Sequence, residues 1–97
     1  MNQGFTGISN VLVAAGSLRI FQAKVRELDC QEIRQNSAVI NGVRFLYVEH
    51  SEAARGFDRG ATRYLDLYEA WLKPDLLDAL QSTYSKLTEE EFDWIHN

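Results

Sequence analysis

The fold is decided by residues 37–49, whose sequence is SAVINGVRFLYVE. Asn41 and Gly42 separate two β-forming runs. Asn-Gly suits a type I′ turn, because both central residues of that turn need a positive φ. The segment therefore predicts a β-hairpin with a two-residue turn, in which Ile40 lies opposite Val43.

The same register predicts an opposite-charge pair between Arg34 and Glu49. Both faces of the hairpin are apolar. One face carries Ile40, Val43, Ala38, Phe45 and Tyr47. The other carries Val39, Leu46 and Val48, with Arg44 as its one charge. Helices can cover the first of these faces. A bare apolar second face predicts a homodimer, with Trp94 as a further interface residue. Packing of residues 8–15 on that face is the alternative.

The segments before the hairpin are less distinctive. Residues 8–15 place apolar side chains at helical spacing, and Gly16 follows where a helix would end, so a short helix is predicted there. The stretch from Leu18 to Leu28 fits either a helix or a strand. An isolated two-stranded hairpin is only marginally stable, so a third strand is expected beside it, and the strand is therefore favoured for Leu18 to Leu28.

The segments after the hairpin indicate helices. Apolar residues at helical spacing predict one helix over residues 62–73 and another over residues 74–87, which Pro74 can begin. Thr88 and Glu91 have the spacing of a capping box before a last short helix. The expected fold is a single α+β domain over residues 1–97. Its antiparallel sheet has three strands, contains the Asn41–Gly42 hairpin and packs against the C-terminal helices.

Composition and charge limit the functions that the chain can have. Its 97 residues suffice for one modest core, and its net charge is −4. Residues 64–97 hold eight acidic and two basic side chains. This excess of acid argues against nucleic-acid binding and leaves open a basic protein partner. No apolar run approaches the roughly 20 residues that cross a bilayer, so no membrane partner is expected.

The start of the chain favours the cytoplasm. A secretory signal begins with positive charge, and no basic residue precedes Arg19. Cys30 is the single cysteine, which excludes a disulfide within the chain and fits a reducing compartment.

The loop from Arg55 to Arg63 is the most suggestive segment for binding. Arg55, Arg59 and Arg63 recur at intervals of four among glycines, before a predicted helix. Guanidinium groups and backbone N–H groups at a helix start can hold a phosphate or a carboxylate. Together with the aromatic face of Tyr68 and Trp71, this loop predicts a ligand or anion site. A flexible loop whose arginines pair with C-terminal acids is the alternative.

Catalytic and metal-binding constellations are weak. His50 lies among Glu49, Ser51 and Glu52, but a metal site would need further ligands from elsewhere. Cys30 and His50 are the one conceivable nucleophile and base, and an inert buried thiol is the simpler interpretation. We therefore expect no catalytic residues, no metal and no cofactor.

Two functional hypotheses remain ahead of an enzyme, which ranks last. The first is a non-catalytic interaction protein, such as an inhibitor, an adaptor or an accessory factor, that acts through its surface. The second is a small-molecule or anion-binding module that uses the loop from Arg55 to Arg63 and the Tyr68/Trp71 face.

Overall fold

The structure, a computed structural model, describes residues 7–28 and 30–96. Within them, six strands form one mixed sheet: β1 (Asn10–Ala14), β2 (Glu32–Ile33), β3 (Ser37–Ile40), β4 (Val43–Tyr47), β5 (Thr62–Asp66) and β6 (Ser85–Lys86). The three α-helices are α1 (Leu18–Glu27), α2 (Pro74–Thr83) and α3 (Glu89–His96). The predicted α+β fold is confirmed, with helices at the C-terminal end, but the sheet has six strands where three were predicted.

The strand order across the sheet is β2-β3-β4-β1-β5-β6. β1 lies in the middle and runs parallel to both β4 and β5, and β6 runs parallel to β5. β3 pairs with β4 in the antiparallel direction, as β2 does with β3. The expectation of a purely antiparallel sheet is therefore wrong, because four of the strands run parallel.

The Asn41–Gly42 hairpin is confirmed. Asn41 has a φ of 51° and Gly42 a φ of 82°, as a type I′ turn requires. Ile40 lies opposite Val43, in the predicted register. The turn is also tied to the last helix, because the side-chain amide of Asn41 donates a hydrogen bond to the carbonyl oxygen of Ile95.

The predicted pair between Arg34 and Glu49 is wrong. The chain turns before β3, where the backbone N–H of Arg34 donates to the carbonyl oxygen of Ser37 over 2.8 Å. β2 then pairs back onto β3. As a result, the Arg34 guanidinium forms its ion pair with Glu32 inside this turn.

The predicted helix over residues 8–15 is wrong, because β1 occupies this segment. Val11, Leu12, Val13 and Ala14 are each at most 1% exposed. A central parallel strand is buried on both faces, so its sequence is an unbroken apolar run. Such a run also satisfies the spacing of a short helix.

The stretch from Leu18 to Leu28 forms α1, so the strand favoured for it is wrong and the helical alternative is correct. The Ser17 side chain caps the helix by accepting a hydrogen bond from the backbone N–H of Ile20. Phe21 and Val25, one turn apart, are its buried residues. The apolar spacing at intervals of about four was therefore the correct signal.

The predicted helix over residues 62–73 is wrong as well, since this segment contains β5 and a 3₁₀ turn at Ala70–Leu72. α2 begins at Pro74 as expected but ends at Thr83, and β6 follows it. The capping box is confirmed. The Thr88 hydroxyl accepts from the N–H of Glu91, and the Glu91 carboxylate accepts from the N–H of Thr88, each over 3.0 Å.

Helices cover both faces of the sheet. The first face packs against α1 and α3, and the buried cluster between them includes Val11, Val13, Phe45 and Tyr47 from the strands and Phe21, Val25 and Ile95 from the helices. The second face packs against α2 and the crossover segment, residues 48–61, which joins β4 to β5. The buried cluster on this side includes Leu12, Ala14 and Tyr64 from the strands, Val48 and Ala54 from the crossover segment, and Leu76 and Leu80 from α2. In the described ranges, no helix is long and apolar enough to span a membrane.

Candidate functional site

A short loop at the carboxyl end of β5 carries the three most exposed of the large apolar side chains in the described residues. We call residues 68–72 the aromatic loop. Tyr68 is 67% exposed, Trp71 61% and Leu72 62%. The rings of Tyr68 and Trp71 meet edge to face, with centroids 5.5 Å apart. Tyr68 and Trp71 therefore lie side by side at the surface, and Leu72 extends this exposed patch.

The aromatic loop is held in place by backbone hydrogen bonds. The N–H of Gly16, just beyond β1, donates to the Tyr68 carbonyl oxygen over 3.0 Å. The N–H of Ala70 donates to the carbonyl of Leu67 over 3.1 Å, and Ala70 itself is buried. The exposed side chains thus stand on a backbone that is anchored to the edge of the sheet.

Glu69 occupies the tightest point of this loop. Its φ of 64° is left-handed, a conformation that glycine adopts far more readily than glutamate. Its Cβ lies only 2.4 Å from where a Cβ on Gly16 would stand. β1 and β5 are neighbours, and the chain leaves them for opposite faces of the sheet at this point. Nothing in the sequence around Glu69 indicated this backbone conformation.

Lys73 closes the loop against the end of β4. Its ammonium donates a hydrogen bond to the Tyr47 hydroxyl over 2.8 Å and stands 5.0 Å from the centre of the Tyr47 ring. It also lies 3.9 Å from the Glu49 carboxylate. Lys73 was not among the predicted site residues. The one signal for it was Pro74, which predicts a helix start and so places Lys73 at the end of the preceding loop.

The three predicted arginines are divided between the two faces of the sheet. Arg63 is the second residue of β5, and its side chain points to the first face, where it pairs with Glu91 over 3.3 Å. Arg55 and Arg59 belong to the crossover segment on the second face. The sequence alternative, in which a loop arginine pairs with a C-terminal acid, is confirmed for Arg63.

Arg55 and Arg59 line one pocket, of about 470 Å³, between the crossover segment and α2. Arg55 also borders a second pocket, of about 490 Å³, that Leu72 and Lys73 line. Tyr68 and Trp71 line neither of these two pockets. The structure therefore brings two of the three arginines together, and it keeps them apart from the aromatic pair.

The residues expected at a dimer interface are differently placed. Arg44 is exposed and Val39 is half-buried. Leu46 packs against the second-face cluster, and Val48 lies inside it at 1% exposure. Trp94 is 39% exposed on α3. The second face of the hairpin is thus partly covered by the chain itself.

Of the residues weighed for metal binding and catalysis, Glu49, His50, Ser51 and Glu52 border one pocket. Among residues 7–28 and 30–96, no group of three His, Cys, Asp or Glu side chains could hold a metal ion. The Cys30 thiol is half-buried and donates to the carbonyl oxygen of Val25 over 3.2 Å, beside α1. His50 is exposed at the start of the crossover segment.

No family model, no curated protein and no solved structure matches this chain.

Proposed function

We propose that this chain is a non-catalytic interaction protein, an inhibitor, adaptor or accessory factor, that binds a basic protein segment through the aromatic loop. The observation that carries the proposal is the joint exposure of Tyr68, Trp71 and Leu72 on one anchored loop. Tyrosine and tryptophan are typical of binding hot spots, because each combines a large apolar body with a polar tip.

The anchoring of the loop also supports the proposal. An aromatic side chain on a mobile loop loses conformational entropy when it binds, and this loss weakens the complex. The hydrogen bonds from Gly16 to Tyr68 and from Ala70 to Leu67 hold the backbone of the aromatic loop in place before a partner binds. A partner can therefore bind Trp71 and Leu72 without first having to order the loop.

The charges around the loop favour a basic partner. Glu69 lies within the loop, and the pocket that borders Leu72 is also lined by Glu49, Glu52 and Asp75. Arg55 and Lys73 line it too, but the Lys73 ammonium is already engaged with Tyr47, and the three carboxylates outnumber the two basic groups. A lysine or arginine of the partner can pair with these acids or lie over an aromatic ring, while an apolar neighbour covers Leu72.

The experiment uses tryptophan fluorescence in a Trp94→Phe background, where Trp71 is the only tryptophan. Two short peptides without tryptophan serve as probes. Both carry the same leucine-rich centre, flanked by lysines in one and by glutamates in the other. We expect the lysine peptide to change the Trp71 emission in a saturable manner and the glutamate peptide to leave it unchanged.

Two variants then locate the contact by calorimetry. Trp71→Ser should weaken binding of the lysine peptide at least tenfold, because it removes the central apolar anchor. Ile33→Ser is the matched control, since Ile33 is 51% exposed on β2 and lies outside the aromatic loop. Equal binding of the two peptides, absence of binding, or unchanged binding by Trp71→Ser would each contradict the proposal.

Self-association through the hairpin stays a second proposal, on a smaller surface than the sequence suggested. Val39 and Arg44 remain accessible on β3 and β4, whereas Val48 does not. Light scattering should give twice the 11.1 kDa of the chain. Val39→Glu should restore the monomer, and it is a better test than Leu46→Glu because Leu46 contributes to the core. A species of 11.1 kDa at every concentration would exclude the dimer.

A further inference from the structure

The pocket between the crossover segment and α2 has walls of opposite charge. Arg55 and Arg59 line it from the crossover segment, and Asp75 and Asp78 line it from α2. The two aspartates are three residues apart on a helix, so they project from the same side. The volume of about 470 Å³ lies within the range of small-molecule sites.

None of these four side chains forms an ion pair with another described residue. The ion pairs within the described residues join Lys24 to Glu27, Arg34 to Glu32, Arg63 to Glu91, Lys73 to Glu49 and Lys86 to Asp66. Across residues 7–28 and 30–96, no side-chain hydrogen bond involves either pocket arginine. Two guanidinium groups and two carboxylates therefore border one pocket without neutralising one another.

Their separation indicates a ligand that is itself of mixed charge. A purely anionic ligand would be attracted by the arginines and repelled by Asp75 and Asp78. A purely cationic ligand would meet the converse arrangement. A molecule with an anionic end and a cationic end satisfies both walls at once, since each end finds the opposite charge.

The anionic end is assigned by charge and geometry. A phosphate monoester carries about −1.5 to −2 at neutral pH, which matches the two guanidinium groups better than a single carboxylate does. The planar fork of an arginine also suits phosphate oxygens. Ser51 and Thr83 line the same pocket, and their hydroxyl groups add donors of the kind that phosphate accepts.

We infer that this pocket binds a small phosphorylated amine, with its phosphate on Arg55 and Arg59 and its ammonium group on Asp75 and Asp78. The inference uses no side chain of the aromatic loop, although Arg55 and Asp75 border both this pocket and the one beside Leu72. Arg63 has no part in it, because the sheet separates Arg63 from the pocket. The sequence pointed to an anion site in this loop, and the structure adds the acidic wall that defines the other half of the ligand.

The experiment compares three probes by calorimetry on the full chain. Phosphoethanolamine carries both charged ends, ethyl phosphate lacks the ammonium group, and ethylamine lacks the phosphate. We expect phosphoethanolamine to bind at least tenfold more tightly than either of the other two. Equal affinity for phosphoethanolamine and ethyl phosphate would overturn the mixed-charge site, as would no binding of any probe at millimolar concentration.

Variants assign each wall. Arg55→Gln combined with Arg59→Gln should abolish binding of phosphoethanolamine. Asp75→Asn combined with Asp78→Asn should reduce its affinity to that of ethyl phosphate. All four side chains are exposed, so these variants should fold. Unchanged affinity in either pair of variants would overturn the assignment of that wall.

A separate measurement tests whether the walls simply pair with each other. The thermal stabilities of Arg59→Gln, Asp78→Asn and the double variant are compared without ligand. Additive changes in melting temperature are expected, since the structure shows no ion pair between these side chains. Strong coupling would mean that the pocket is closed by its own salt bridge, and this outcome would overturn the inference.

Discussion

The two faces of the sheet treat arginine differently, although the three arginines concerned fall within nine residues of the chain. On the first face, Arg63 projects from β5, and its side chain and that of its partner Glu91 are only 18% and 19% exposed. On the second face, Arg55 and Arg59 project from the crossover segment and are exposed, and neither forms an ion pair with another described residue. A strand holds its side chains at fixed positions, so another element can place a partner beside them, as α3 does with Glu91. The crossover segment leaves its arginines available to a ligand.

The loop that leaves β1 for α1 and the loop that leaves β5 for α2 touch where Gly16 contacts Glu69. A substitution at this contact should have the largest effect on stability. Gly16→Ala would place its Cβ 2.4 Å from the Glu69 Cβ and 3.3 Å from the Glu69 carbonyl oxygen. The loops after β1 and β5 would have to move apart. We expect the free energy of unfolding to fall by about 2–3 kcal/mol, as in other overpacked sites, measured by urea denaturation.

Glu69→Gly provides the test of that explanation. Glycine has no Cβ and adopts the φ of 64° without strain, so the single variant should be close to wild type in stability. In the double variant with Gly16→Ala, most of the lost stability should return. If Gly16→Ala were as stable as wild type, or if Glu69→Gly failed to rescue it, the contact between the two loops would not be the cause.

The next largest loss of stability is expected on replacing Arg63, and the same substitution at Arg59 provides the comparison between the faces. Arg63→Met removes an ion pair and the hydrogen bonds from the guanidinium to the carbonyl oxygens of Gly60 and Thr62. It also leaves the Glu91 carboxylate without its ion-pair partner, although the hydrogen bond from the Thr88 N–H remains. We expect a loss of about 1–2 kcal/mol in the free energy of unfolding. Arg59→Met, the matched variant on the second face, should change stability by no more than about 0.5 kcal/mol. Equal losses in the two variants would remove the distinction between the faces.

Local chemistry explains which parts of the fold the sequence could predict. Asn41–Gly42 and the Thr88/Glu91 capping box depend on residues next to one another, and both were predicted correctly. β1 was mistaken for a helix because burial on both faces removes the alternation that marks a strand. α1 had the correct spacing, but the argument for a third strand outweighed it. That argument failed because the strands beside the hairpin are β1, which was taken for a helix, and the two-residue β2.

The prediction that the three arginines form one site failed because of β5. The interval of four between Arg59 and Arg63 suggested one cluster, but residues 62–66 form a strand in which successive side chains point to opposite faces. Arg63 is thereby carried to the first face. The sequence allowed both an exposed and a buried Trp71, because its spacing from Tyr64 and Tyr68 also suited a buried helical stripe. Asp75 and Asp78 had a usable signal, since Pro74 marked the helix that places them on one side.

The N-termini of the helices on the two faces also differ in their capping. α3, on the first face, begins with the capping box of Thr88 and Glu91, whereas Lys73 gives α2, on the second face, no side-chain cap. Thr88→Ala removes the hydroxyl that accepts from the Glu91 N–H, and the expected loss is about 1 kcal/mol in the free energy of unfolding. Thr88→Ser keeps that hydroxyl and should remain close to wild type.

The position of Glu91 makes this loss more than a local one. One carboxylate oxygen of Glu91 accepts from the Thr88 N–H, and the other pairs with Arg63 on β5. The cap and the ion pair therefore share one side chain, and the two should be coupled. In the double variant Thr88→Ala/Arg63→Met, the loss of stability should be smaller than the sum of the two single losses, because either change already loosens Glu91. Strict additivity in urea denaturation would show that the cap and the ion pair act separately, and that α3 is held to the first face by its apolar contacts.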